Sequence, residues 1–153
     1  MTLITADFIL TCNEGFEIIE DGAMLFDERI IEVGKCEELK AKHPTATIIE
    51  TPQNSVILPG LINAHVHLEF SANQSMLRYG DFIVWLQSVI KHREELSALA
   101  TTELIGSKLQ EMLKNGTTSL GAISSFGADL EACVQAPQRV VYFNEVLGSV
   151  PSA

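Results

Sequence analysis

Apolar positions change their period near the middle of the chain. Through residues 3–58 they come in short strand-like runs: Leu3 to Leu10, Glu17 to Phe26, Arg29 to Val33, Thr47 to Ile49 and Val56 to Leu58. Turn residues separate these runs at Asn13-Glu14-Gly15, Asp27-Glu28, Gly34 and Pro52-Gln53-Asn54. A short helix is predicted at Cys36–Lys42, stopping before Pro44 because the residue preceding a proline disfavours helical backbone. The first part of the chain therefore reads as a small β-rich unit.

From Pro59 the pattern becomes alternating strand and helix. Leu61–His67 is a near-continuous apolar run, as expected of a strand buried on both faces. Asp81 is placed to cap a helix reaching about Glu95, with Phe82, Leu86, Val89 and Ile90 at helical spacing. A second helix is predicted over Thr102–Lys114, pointing Ile105, Leu109, Met112 and Leu113 inward and closing at Asn115-Gly116. Thr117–Ile123 reads as a strand, Asp129–Val134 as a short helix and Arg139–Leu147 as a third strand. Strand–helix–strand repetition predicts parallel strands with right-handed crossovers, and three such strands cannot close a barrel.

Composition narrows the function. The chain has 153 residues, short of the roughly 250 of a complete barrel enzyme. Its formal net charge is −10, with acids crowded into the first fifty residues, which excludes a phosphate-tracking nucleic-acid surface. The acidic face reads as solvated surface that aids solubility. Cys12, Cys36 and Cys133 are far apart and odd in number, so no disulfide framework or thiolate zinc site is expected and a reducing, cytoplasmic setting fits. No signal-peptide pattern opens the chain, and no apolar run reaches the roughly 18 residues of a membrane helix.

The chemistry sits in Leu58-Pro-Gly-Leu-Ile-Asn-Ala-His65-Val-His67-Leu-Glu-Phe-Ser71. Residues i and i+2 of a strand point to one side, so His65 and His67 can converge on one cation. A bare His-x-His is also what two ordinary polar histidines look like. The apolar lead-in and the Pro59-Gly60 turn favour the metal reading, because a buried strand fixes the aim of both rings. The end of a parallel strand is also where α/β barrels place their chemistry. His43 and His92 read as surface or packing residues. Trp85 and the phenylalanines read as core.

Residues 56–71 resemble the opening of the amidohydrolase superfamily, in which a Pro-Gly turn leads into the first barrel strand and its His-x-His. The β-rich unit before them is similar to that family's N-terminal half-sandwich. Phe82-x-x-Trp85-Leu86 with the helix reaching Glu94 resembles the nucleoside-deaminase and chlorohydrolase branch. Gly116-Thr-Thr-Ser-Leu-Gly121 resembles that branch's second strand, and Val140-Val-Tyr-Phe-x-Glu145-Val-Leu-Gly148 its third. The likeness covers nearly the whole chain but only about a third of a family enzyme.

That resemblance implies an α/β fold: a β-rich half-sandwich over residues 1–58, then the first three strands of an incomplete (β/α)8 TIM-type barrel over residues 59–153. It implies one divalent metal ion held by His65 and His67, zinc with iron as the alternative. It implies hydrolytic deamination of a small purine-type nucleoside by metal-activated water. The general acid–base glutamate and the remaining ligands would lie on later strands outside this chain. Glu94 matches a position that binds ribose hydroxyls in related deaminases, and Glu145, at the end of the third strand, should face substrate. Glu69 is a weaker candidate of the same kind. An N-terminal part of this sort would be inactive alone, a homo-oligomer, or a subunit completed by a C-terminal chain. Other heterocycles (adenosine, S-adenosylhomocysteine, guanine, cytosine) and a non-catalytic binding module stand as alternatives.

Overall fold

A computed structural model describes residues 1–146, which fall into two compact units that divide between Pro59 and Gly60. The expected third strand's Leu147, and Gly148 after it, lie outside the described residues.

The first unit is a five-stranded sheet. Strands β1 (Thr2–Leu10), β2 (Ile18–Phe26) and β3 (Ile30–Lys35) form an antiparallel meander, helix α1 (Cys36–Lys42) follows, and β4 (Thr47–Glu50) and β5 (Val56–Ile57) both pair parallel to β1. The β1–β2 turn is held by Asn13, whose Oδ1 accepts from the N–H groups of Gly15 and Glu17 at 3.1 and 3.3 Å. An Asx turn of this kind is why Asn-x-Gly punctuates hairpins. The core of the unit is Leu3, Ala23, Leu25 and Leu39, all at most 3% exposed. His43 pairs with Glu32 at 3.1 Å, a structural contact as expected.

The second unit is a parallel sheet, ordered β6 (Leu61–Val66), β7 (Thr117–Ser124), β8 (Arg139–Asn144). Helices α2 (Phe82–Leu99) and α3 (Thr102–Lys114) separate β6 from β7, and α4 (Leu130–Gln135) separates β7 from β8. Asp81 caps α2 through Oδ1, which accepts from the N–H groups of Ile83 and Val84. Thr101 caps α3 in the same way through Leu104. Ile105 and Leu109 of α3 are buried against Leu120 and Ala122 of β7, while Ala132 and Cys133 of α4 complete the core. Side chains at positions 105, 109 and 112 fall on one stripe of a 3.6-residue period, so α3 has an inward face.

Three expectations change. β6 is not buried on both faces: Leu61 is 52% and Ile62 73% exposed. It is an end strand of the described sheet, and a parallel strand loses both faces to solvent-free packing only when layers lie on each side. Helix α2 runs on to Leu99, and its Phe82, Leu86 and Ile90 are exposed; its buried residues are Ser88 and Leu96. None of the phenylalanines belongs to the buried core, and Trp85, tilted against Phe82 at 5.8 Å between ring centroids, is half-buried.

The cysteines are all unpaired among the described residues. Burial pushes the Cys133 thiol up to about 11, and the Asp129 carboxylate adds to the shift. The unfolded chain releases this proton near 9 and the folded chain keeps it to about 11, so stability falls as pH rises through that window. Comparing denaturant unfolding at about pH 8 and about pH 10, wild type is expected to lose more stability than Cys133→Ala. An equal loss in both would show that the buried thiol ionises freely.

Candidate functional site

Gly121 of β7 has no side chain, and this lets the carbonyl of Ala64 come close. A Cβ there would lie 2.8 Å from the Ala64 carbonyl carbon, and nearer still to its oxygen. The β6–β7 register is irregular over the same stretch, between Asn63 and Val66. Asn63 Oδ1 accepts from the His65 N–H at 3.3 Å. His65 is therefore presented from a local distortion of the strand end rather than from a regular ladder. His67 follows just after β6, capping a single 3-10 turn over Leu68–Phe70 that the sequence did not predict. Its ring stacks on Phe70, with centroids 5.5 Å apart and planes 17° apart.

The two imidazoles approach through their Nε2 atoms, 3.3 Å apart. Two nitrogens bound tetrahedrally to one ion at about 2.0–2.1 Å would sit roughly 3.3–3.4 Å apart. The pair thus fits as two ligands of a zinc-sized cation. The same distance also suits one ring donating an N–H to the other. His67 Nδ1 is buried with no hydrogen-bond partner. A histidine that ligates through Nε2 usually donates its Nδ1–H to an outer acceptor. Among the described residues no group of three His, Cys, Asp or Glu is placed to hold a metal ion, so the end of β6 and the turn after it supply two ligand candidates and no third.

The two candidate substrate carboxylates are placed differently. Glu94 is exposed on the last turns of α2. Glu145 is half-buried just past β8; its N–H donates to the Ser124 carbonyl at 2.8 Å, and its Oε2 accepts from Ser125 Oγ at 2.6 Å. Both Glu145 and the neighbouring Glu69 are thereby tied to the loop after β7. Glu69 does not face open space. It is 0% exposed and its carboxylate is fully engaged: the Ser125 N–H lies 3.2 and 3.1 Å from its two oxygens. The Phe126 N–H is 3.2 Å and the Ser124 hydroxyl 3.3 Å from Oε2. A carboxylate can be buried at tolerable cost only with such donors.

Further polar residues to which the sequence reading gave no site role join this cluster. Ser124, 0% exposed, also accepts from the Gly127 N–H at 3.0 Å. Tyr142 of β8 donates to the buried Asp129 at 3.0 Å. Burial raises the Tyr142 hydroxyl pKa most, and its bond to Asp129 adds to this against the opposing bond with Ser124. The available signal was Ser124-Ser125 following an apolar strand, where polar residues at a strand's C-terminal end merit attention.

A family model described as the amidohydrolase family matches residues 56–152. The chain belongs to the amidohydrolase family. This amidohydrolase is 50% identical over 132 residues to the N-terminal region of an aminodeoxyfutalosine deaminase from a Nitratiruptor species, covering 86% of this chain and 32% of that protein. It is 37% identical over 147 residues to an adenosine deaminase of Helicobacter pylori, covering 96% of this chain and 36% of that one. Its backbone superposes on the crystal structure of Helicobacter pylori aminofutalosine deaminase in complex with methylthio-coformycin. That match has a TM-score of 0.91 at 36% identity, over 99% of this chain and 37% of the other. The amidohydrolase chain thus spans about a third of the length of the relatives it matches. Among the described residues no helix is long and apolar enough to cross a membrane.

Proposed function

We propose that this chain is the N-terminal part of a metal-dependent nucleoside deaminase, with aminodeoxyfutalosine, an intermediate of the futalosine route to menaquinone, as its substrate. The observation that carries the reading is the convergence of His65 and His67 Nε2 to 3.3 Å at the end of the first parallel strand. The 50% identity to an aminodeoxyfutalosine deaminase supports the substrate. The half-sandwich and β6–β8 would be the opening of a (β/α)8 barrel whose later strands bring the remaining ligands and the acid–base glutamate. The exposed apolar side chains of β6 fit a strand that further layers cover in the assembled enzyme.

His65 and His67 would hold the ion, zinc or iron. Such an ion supplies Lewis acidity, the means by which sites of this kind make water nucleophilic near neutral pH. The stack of His67 on Phe70 would help orient the ring toward such an ion. Glu145, and Glu94 from α2, would accept hydrogen bonds from the sugar hydroxyls of the nucleoside, since one carboxylate can take two such bonds. The setting would be cytoplasmic, in keeping with three unpaired cysteines.

The test is ammonia release from aminodeoxyfutalosine and from adenosine. It uses this chain mixed with a C-terminal chain that completes the barrel, with zinc or iron added. Metal-dependent turnover that prefers aminodeoxyfutalosine is expected. Turnover that survives metal chelation would sink the mechanism, and a preference for adenosine would reassign the substrate.

A further inference from the structure

Glu69 sits two residues beyond a proposed metal ligand, yet it is 0% exposed. Its carboxylate gathers the loop after β7: the N–H groups of Ser125 and Phe126 and the Ser124 hydroxyl all donate to it. Charge-assisted bonds of this kind are roughly twice as strong as neutral ones. A loop held by several of them is fixed in conformation. Ser125, so fixed, donates its hydroxyl to Glu145 at 2.6 Å. Phe126, the next residue, lies under the Arg93 guanidinium at 5.8 Å, immediately before Glu94 on α2.

We propose that Glu69 is a positioning residue: it fixes the Ser124–Gly127 loop and, through Ser125, sets the aim of the Glu145 carboxylate. The claim deepens the deaminase reading and rests on its assignment of Glu145 to the substrate. Three strand ends are thereby joined by one buried carboxylate, from the turn after β6 to the loop after β7 to the residue after β8. The bonds run over sequence separations of 55 to 57 residues on one side and 20 on the other. Ser125 has its backbone N–H on Glu69 and its hydroxyl on Glu145, so rotation of the loop would turn the hydroxyl away from Glu145. The role is geometric, and Glu69 itself needs no proton transfer.

The experiment uses the assembled deaminase and reads kcat and KM separately for Glu69→Gln, Ser125→Ala, Glu145→Gln and the double variants. Glu69→Gln puts an amide where the loop presents N–H donors. It is expected to raise KM about tenfold, as the loss of a bond to a charged group does, with kcat changed much less. Ser125→Ala is the milder variant, because it leaves the Glu69 bonds to the loop backbone intact. It should raise KM in the same direction even if Glu69→Gln fails to fold. In the Glu145→Gln background neither change should raise KM further, since both act through that carboxylate.

If Ser125→Ala or Glu69→Gln costs the same factor with and without Glu145→Gln, the residues act independently and the positioning role is overturned, while the substrate role of Glu145 stands. If Glu145→Gln alone leaves KM unchanged, the substrate assignment of Glu145 fails and takes the positioning role with it. Metal content, measured on each variant, should stay at the wild-type level. A loss of metal in Glu69→Gln would place its effect on the histidines instead.

Discussion

Zinc titrated into the chain is expected to lose its site when His65 and His67 are both replaced by alanine. The Nε2 atoms stand 3.3 Å apart, and two lone pairs at that spacing point to one ion. Two histidines hold zinc weakly, because catalytic sites use about three protein ligands. The effect is therefore best read in the assembled enzyme, where each single substitution should already lower metal affinity by roughly a hundredfold or more, above what outer-shell changes cost. Deamination should fall on the order of a thousandfold with the metal, as several kcal/mol of Lewis-acid stabilisation disappear. Isothermal titration and metal content measure the first effect, ammonia release the second. Stoichiometric zinc binding that persists without either histidine would show that the ion sits elsewhere.

Gly121→Ala is the second large effect. The added methyl would overlap the Ala64 carbonyl, a backbone group that cannot rotate out of the way. Either β6 and β7 separate or the strand end shifts, and overpacking of this severity costs about 3 kcal/mol or more. Ala64 directly precedes His65, so the same shift should move the ring. Gly121→Ala is expected to lower stability in equilibrium denaturation and to weaken zinc binding together. Gly106→Ala is the control: nothing lies within 4 Å of a Cβ there, and the position is in the middle of α3, where alanine stabilises a helix by up to about 1 kcal/mol. Equal behaviour of the two variants would mean that the β6–β7 approach does not constrain the strand end.

Most elements were legible in the order of residues. Helix α1 and helix α3 have the predicted bounds, Cys36–Lys42 and Thr102–Lys114, because proline, threonine and glycine mark their ends locally. The strands match within a few residues, since a two-residue alternation with turn residues between runs is also a local signal. That His65 and His67 could come together was within reach because they are two residues apart and a strand repeat puts i and i+2 on one side; the irregular end of β6, with His67 already past it, was not.

Short-range periodicity and turn chemistry encode local elements: strand and helix bounds, the alternation that makes the second sheet parallel, and a pair of histidines near a strand end. The surroundings of Glu69 came only from folding. Its partners lie 55 to 57 residues away, and an acid beside a proposed ligand looks the same whether it faces substrate or is buried under a loop. Likewise the apolar run of β6 encodes the capacity to be buried, but whether it is depends on which layers cover it. Burial is a property of neighbours brought together by folding, not of the run itself.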